Sequence, residues 1–111
     1  MAKEKMYYSW KIPSSIVHLV NAICADYERR DRAIRHSTIT GAVLERYIEL
    51  NSVIDRALSD IEPEIRADLL YDIANGRGYT RSCTQYVMSK NTYYRRRRNF
   101  VHTIAKELSL L

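Results

Sequence analysis

Glycine and proline are scarce in this 111-residue chain, at three and two residues respectively. That scarcity excludes collagen-like, linker-rich and hairpin-dense all-β organisations, each of which needs frequent breakers or tight reversals. No apolar run comes near the roughly 20 residues that a membrane-spanning helix requires. The leading Met1-Ala2-Lys3-Glu4-Lys5 runs into Met6-Tyr7-Tyr8-Ser9-Trp10-Lys11 instead of an apolar signal-peptide core. A soluble, cytoplasmic protein without a membrane partner is expected. Cysteine is limited to Cys24 and Cys83, far apart on segments that read as helical, so free buried thiols are expected in place of a disulfide. His18, His36 and His102 stand apart from one another and from the cysteines, without the close pairs of a local zinc motif. Asn75-Gly76-Arg77-Gly78 lacks the Gly-Lys-Ser/Thr ending of a phosphate loop, and no nucleophile–base arrangement stands out. No enzyme activity, cofactor or metal is therefore expected.

What the chain does have is positive charge, unevenly placed. The net charge is +5; residues 1–72 hold 10 Lys/Arg against 12 Asp/Glu, whereas residues 73–111 hold 8 Lys/Arg against the single acid Glu107. A basic C-terminal third calls for a polyanionic partner, either nucleic acid or an anionic surface.

Apolar spacing predicts an all-α fold of about five helices. Residues 1–12 lack periodicity and read as an arm, whose Tyr7, Tyr8 and Trp10 suit either stacking on nucleic acid or packing on a second subunit. Pro13 with Ser14 and Ser15 opens a helix to about Arg35, with Ile16, Val20, Ile23, Tyr27 and Ile34 on one stripe and Leu19 widening it. The mixed charges Asp26, Glu28, Arg29, Arg30, Asp31, Arg32 and Arg35 read as solvent-facing. After a break at residues 36–41, Val43, Leu44, Tyr47, Ile48, Ile54, Leu58 and Ile61 predict a helix from Thr40 to about Ser59. These two helices over residues 13–60 are expected to form an antiparallel hairpin that supports oligomerisation.

Residues 61–111 read as a helix-turn-helix region. Pro63 suits the first turn of a third helix whose stripe is Ile65, Leu69, Leu70 and Ile73, and Asn75-Gly76-Arg77-Gly78 ends it. Thr80 can cap a short helix to about Val87, and Ser89 a last helix to about Leu108. That order, with its very short turn, is the arrangement of a helix-turn-helix DNA reader. Cys83, Tyr86, Met88 and Tyr93 would pack the motif. Tyr93, Arg97, Phe100, Ile104 and Leu108, with Val101 and Ala105 beside them, would anchor the last helix in the core. Its first turns would then present Ser89, Lys90, Asn91, Tyr94, Arg95 and Arg98 to the major groove, since Asn can read adenine and Arg guanine. Arg77, Arg81, Arg96 and Arg97 are candidate phosphate contacts. Arg95-Arg96-Arg97-Arg98 sweeps about 300° around a helix, so the four cannot share one face, and the stem of Arg96 or Arg97 is expected to lie over the core.

The segment Met88-Ser89-Lys90-Asn91-Thr92-Tyr93-Tyr94-Arg95, with the tail Ile104-Ala105-Lys106-Glu107-Leu108, resembles the RinA/ArpU-type phage transcription regulators over residues 55–108. Those proteins are similar to the promoter-reading C-terminal domain of bacterial sigma factors. Val87 departs from the family pattern where a turn glycine is common, Ser82 where an aliphatic residue is usual, and Arg96 where an apolar side chain is often buried. The resemblance implies a sequence-specific, double-stranded-DNA-binding transcription regulator of phage or prophage origin. Symmetry considerations add a homodimer, and RNA polymerase is a further partner to be considered. Two other readings compete: a phage DNA-packaging or assembly protein that forms a ring, and a protein-interaction module such as an anti-repressor. RNA binding is a lesser alternative, without an RNA-recognition motif behind it.

Overall fold

The structure, a computed structural model, describes residues 12–79 and 87–111. Among these residues the chain is entirely helical: α1 (Ser14–Ala25), α2 (Tyr27–Arg35), α3 (Gly41–Ser59), a 3-10 turn (Pro63–Ile65) that leads into α4 (Arg66–Ala74), and α5 (Lys90–Glu107). The arm over residues 1–11 and the short helix expected between Thr80 and Val87, including Arg81, Cys83 and Tyr86, lie outside the described residues.

Local chemistry accounts for most of the boundaries. Thr40 sits in extended backbone as the N-cap of α3, and Gly41 follows at φ +63°, a left-handed conformation that favours glycine. Pro63 occupies the first turn ahead of α4, where its missing N–H leaves no bond unmade. At the other end of α4, Gly76 at φ +65° lets the Arg77 N–H reach the Asp72 carbonyl (2.7 Å) and its own N–H face the Ile73 carbonyl (3.4 Å). This is the Schellman closure that satisfies the last carbonyls of a helix.

The expected first helix over residues 13–35 is broken at Asp26. Its N–H turns back to the Ile23 carbonyl at 3.3 Å in a tight i→i+3 step, and its carboxylate is held by Arg29 through Nε (2.6 Å) and Nη2 (2.5 Å). Arg30 then reaches into the break. Its Nη2 donates to the Ile23 carbonyl (2.6 Å) and its Nε to Asn51 Oδ1 (2.7 Å), while Asn51 Nδ2 donates to the Tyr27 carbonyl (3.2 Å). Arg30 is only 3% exposed, so the expectation of a wholly solvent-facing charge cluster is corrected at this residue. A buried guanidinium is tolerable because carbonyl and amide oxygens receive its donors.

The break also redraws the hairpin. It is α2 that pairs with α3, whereas α1 lies against α4 and α5. Val20 and Cys24 of α1 thereby join one continuous core with Val53, Ile54 and Ala57 of α3, Ile65, Leu69 and Ile73 around α4, and Tyr93, Phe100, Val101, Ile104 and Ala105 of α5. Each large aliphatic side chain fully buried there contributes about 1.5–3 kcal/mol of transfer free energy. Burial pushes the Cys24 thiol up to about 12, which leaves it an unreactive apolar filler. The first half of α3 departs from the predicted stripe: Val43 is 50% and Ile48 45% exposed, as is Leu19 of α1 at 43%. Among the described residues, only part of the apolar periodicity of α3 is therefore buried.

Candidate nucleic-acid interface

Ser89 starts α5. Its Oγ accepts the Thr92 N–H (3.2 Å) and donates to Thr92 Oγ1 (3.0 Å), so this hydroxyl serves the helix N-terminus. The approach to Ser89 is fixed by Tyr79, which follows the α4 closure. The Tyr79 hydroxyl donates to the Met88 carbonyl (2.5 Å) and the Tyr79 N–H donates to the Tyr94 hydroxyl (3.0 Å). Tyr79, Tyr93 and Tyr94 form an aromatic cluster with centroids 5.4 Å (Tyr79 to Tyr93) and 5.1 Å (Tyr93 to Tyr94) apart. Gly78 is what permits it: a Cβ there would lie 2.5 Å from the Tyr94 hydroxyl.

Tyr94 is therefore corrected from an outward-facing reader to a half-buried packing residue, because Tyr79 captures its hydroxyl. Tyr93 packs as expected. It is fully buried, and its hydroxyl donates to Asp72 Oδ2 at 2.7 Å. Burial first, then the carboxylate, pushes the Tyr93 phenol well above its ordinary value and keeps it protonated.

The four consecutive arginines divide by partner. Arg96 points to the 3-10 turn, where its Nε donates to both carboxylate oxygens of Glu62 (3.0 and 3.1 Å). That pair holds the Glu62 carboxyl below its usual range. Arg97 donates to the Arg77 carbonyl and to the Tyr93 hydroxyl (3.2 Å), so it ties the end of α4 to α5. Each thus spends some of its donors inside the fold. Arg77 itself is exposed, with its guanidinium 5.8 Å from the Tyr71 ring centroid.

Arg95 and Arg98 are exposed, as are Lys90 and Asn91, and among the described residues none of these four side chains has an ion pair or hydrogen bond. Asn91, Arg95 and Arg98, spaced by four and three residues, lie on one side of α5. The opposite side carries Tyr93, Phe100 and Ile104 into the core. The fold thus brings together an amide and two guanidinium groups on a rigid helix, free for a polyanion. Toward the C-terminus the same helical spacing brings Asn99, His102 and Lys106, which the basic run alone does not single out, along this stretch of α5.

No group of three or more His, Cys, Asp or Glu side chains that could hold a metal ion occurs among the described residues, and none of their helices is long and apolar enough to cross a membrane. The chain finds no match among known family models, curated proteins or solved structures.

Proposed function

We propose that this protein is a sequence-specific, double-stranded-DNA-binding transcription regulator that reads the major groove with the first turns of α5. One observation carries this reading: of the four arginines at 95–98, the two that share a side with Asn91 are solvent-exposed and without a partner among the described residues, while the other two are held by the fold. The Ser89-capped segment that resembles RinA/ArpU-type phage regulators supports the same assignment. In this mechanism lysines and arginines supply sequence-independent attraction to phosphates, and Asn91 with Arg95 or Arg98 supplies base discrimination.

A single small helix offers few base contacts, so two copies on a pseudo-palindromic site belong to the proposal. The exposed Val43 and Ile48 on the first half of α3 are apolar positions that a second copy would cover.

The test is selection from a randomised duplex pool, followed by fluorescence anisotropy of selected and scrambled duplexes across a salt series. Enrichment of a motif supports the reading, with Asn91→Ala and Arg95→Ala relaxing base preference by about 1–3 kcal/mol per lost bidentate contact. Absence of duplex binding at low salt would overturn it. Binding without any preferred sequence would shift the assignment to DNA packaging, and a ring of many copies in solution mass measurements would support that alternative.

A further inference from the structure

The exposed side of α5 does not stop at Arg98. Continuing the same spacing along the helix leads to His102 and Lys106, so that 91, 95, 98, 102 and 106 follow steps of four, three, four and four residues, with Asn99 beside them. All are exposed except His102, which is half-buried, and none of their side chains is engaged within the described residues. The stripe is made only of cations, amides and an imidazole. The single acid of the helix, Glu107, is turned to the other flank, where it accepts from Arg56 of α3 at 2.9 Å. Glu62 is paired with Arg96 on that flank as well. Asp60 shares a cleft with Asn99 and His102 and is an acid at the edge of the stripe.

From residue 91 to residue 106 a helix rises about 22 Å, whereas the major groove is about 12 Å wide. A helix that enters the groove at an angle, with its first turns on base edges, exceeds the groove width within that length. In that oblique pose its last turns pass over a sugar–phosphate backbone, and the side chain stationed there is Lys106.

We infer that the interface is the whole length of α5, with Lys106 as a phosphate anchor on the strand that the helix crosses and Asn91 and Arg95 as the base-reading end. The inference rests on the proposed reading of this protein as a duplex-DNA binder. It adds a contact at the C-terminal end of the helix, some four turns from the turn motif.

The experiment measures anisotropy of a labelled duplex with wild type, Lys106→Ala, Lys106→Arg, Arg95→Ala and, as a control, Arg46→Ala, whose side chain is paired with Glu49 on α3. Circular dichroism melts on the same samples read helix stability separately. Lys106→Ala is expected to weaken selected and scrambled duplexes alike, about five- to tenfold at 0.1 M salt, and to flatten the logarithmic salt slope by about 0.9, the share of one phosphate. Lys106→Arg should restore both. Arg95→Ala should instead weaken the selected duplex more than the scrambled one. If Lys106→Ala binds with wild-type affinity and slope while Arg95→Ala is impaired, the interface ends at the first turns and the anchor is refuted, with the functional reading intact. If wild type binds no duplex, both fall together.

Discussion

The Tyr93 hydroxyl donates to Asp72 Oδ2 at 2.7 Å with both side chains fully buried, and Asp72 Oδ1 has no hydrogen-bond partner among the described residues. This buried hydrogen bond helps secure α5 to α4 while the other carboxylate oxygen stays unsatisfied in the core. Tyr93→Phe, which leaves the whole carboxylate unpaired, should destabilise the protein by about 1–3 kcal/mol. Asp72→Asn keeps an acceptor for Tyr93 and removes the charge, so it should be neutral or stabilising. Urea midpoints of the two variants check the sign of each change, and a less stable Asp72→Asn protein would contradict this account.

The buried Arg30 makes a second prediction. Truncation strips the Ile23 carbonyl and Asn51 Oδ1 of their shared donor at the α1–α2 break, so Arg30→Ala should cost about 2–4 kcal/mol. Arg32→Ala, at an exposed position on the same helix, should stay within about 0.5 kcal/mol. Thermal melts of the pair distinguish a core arginine from a surface one.

The approach of Gly78 to Tyr94 can be tested by a double-mutant cycle. Gly78→Ala pushes a methyl group against the Tyr94 hydroxyl and should cost about 1–3 kcal/mol. In a Tyr94→Phe background the obstructing oxygen is gone, and the same change should cost less than about 1 kcal/mol. Equal costs in both backgrounds would place the strain elsewhere.

The Arg96–Glu62 pair predicts acid sensitivity. Arg96 holds the Glu62 carboxyl below its ordinary value of 4.5, so its stabilisation is fully present above that value and is lost as pH falls through the lower, folded one. Denaturation midpoints followed downward through pH 4.5 should therefore fall less in Glu62→Gln than in wild type. At neutral pH the same substitution loosens Arg96. If α5 is the DNA surface, non-specific affinity should rise and the salt slope steepen by up to about one phosphate.

Much of the helical layout was legible in the sequence because its determinants are local. Thr40, Pro63, Gly76 and Ser89 mark helix ends through backbone geometry that involves only a few neighbouring residues. Apolar spacing likewise identified the buried side of α5. The same spacing misled at Val43 and Ile48, which stay exposed among the described residues, and charge patterning misled at Arg30, whose acceptor Asn51 lies 21 residues away.

The division of labour is clearest at residues 95–98. Local spacing dictates that α5 is helical, basic and anchored along one side, and that four successive arginines cannot share a face, since each step turns the helix by about 100°. Which of them are engaged depends on long-range packing. Glu62 lies 34 residues before Arg96, and the Arg77 carbonyl 20 residues before Arg97. Ion pairs and hydrogen bonds act over a few ångströms in space and are blind to separation along the chain, so no local pattern could assign those partners. Folding brought them together and left Arg95 and Arg98 facing solvent.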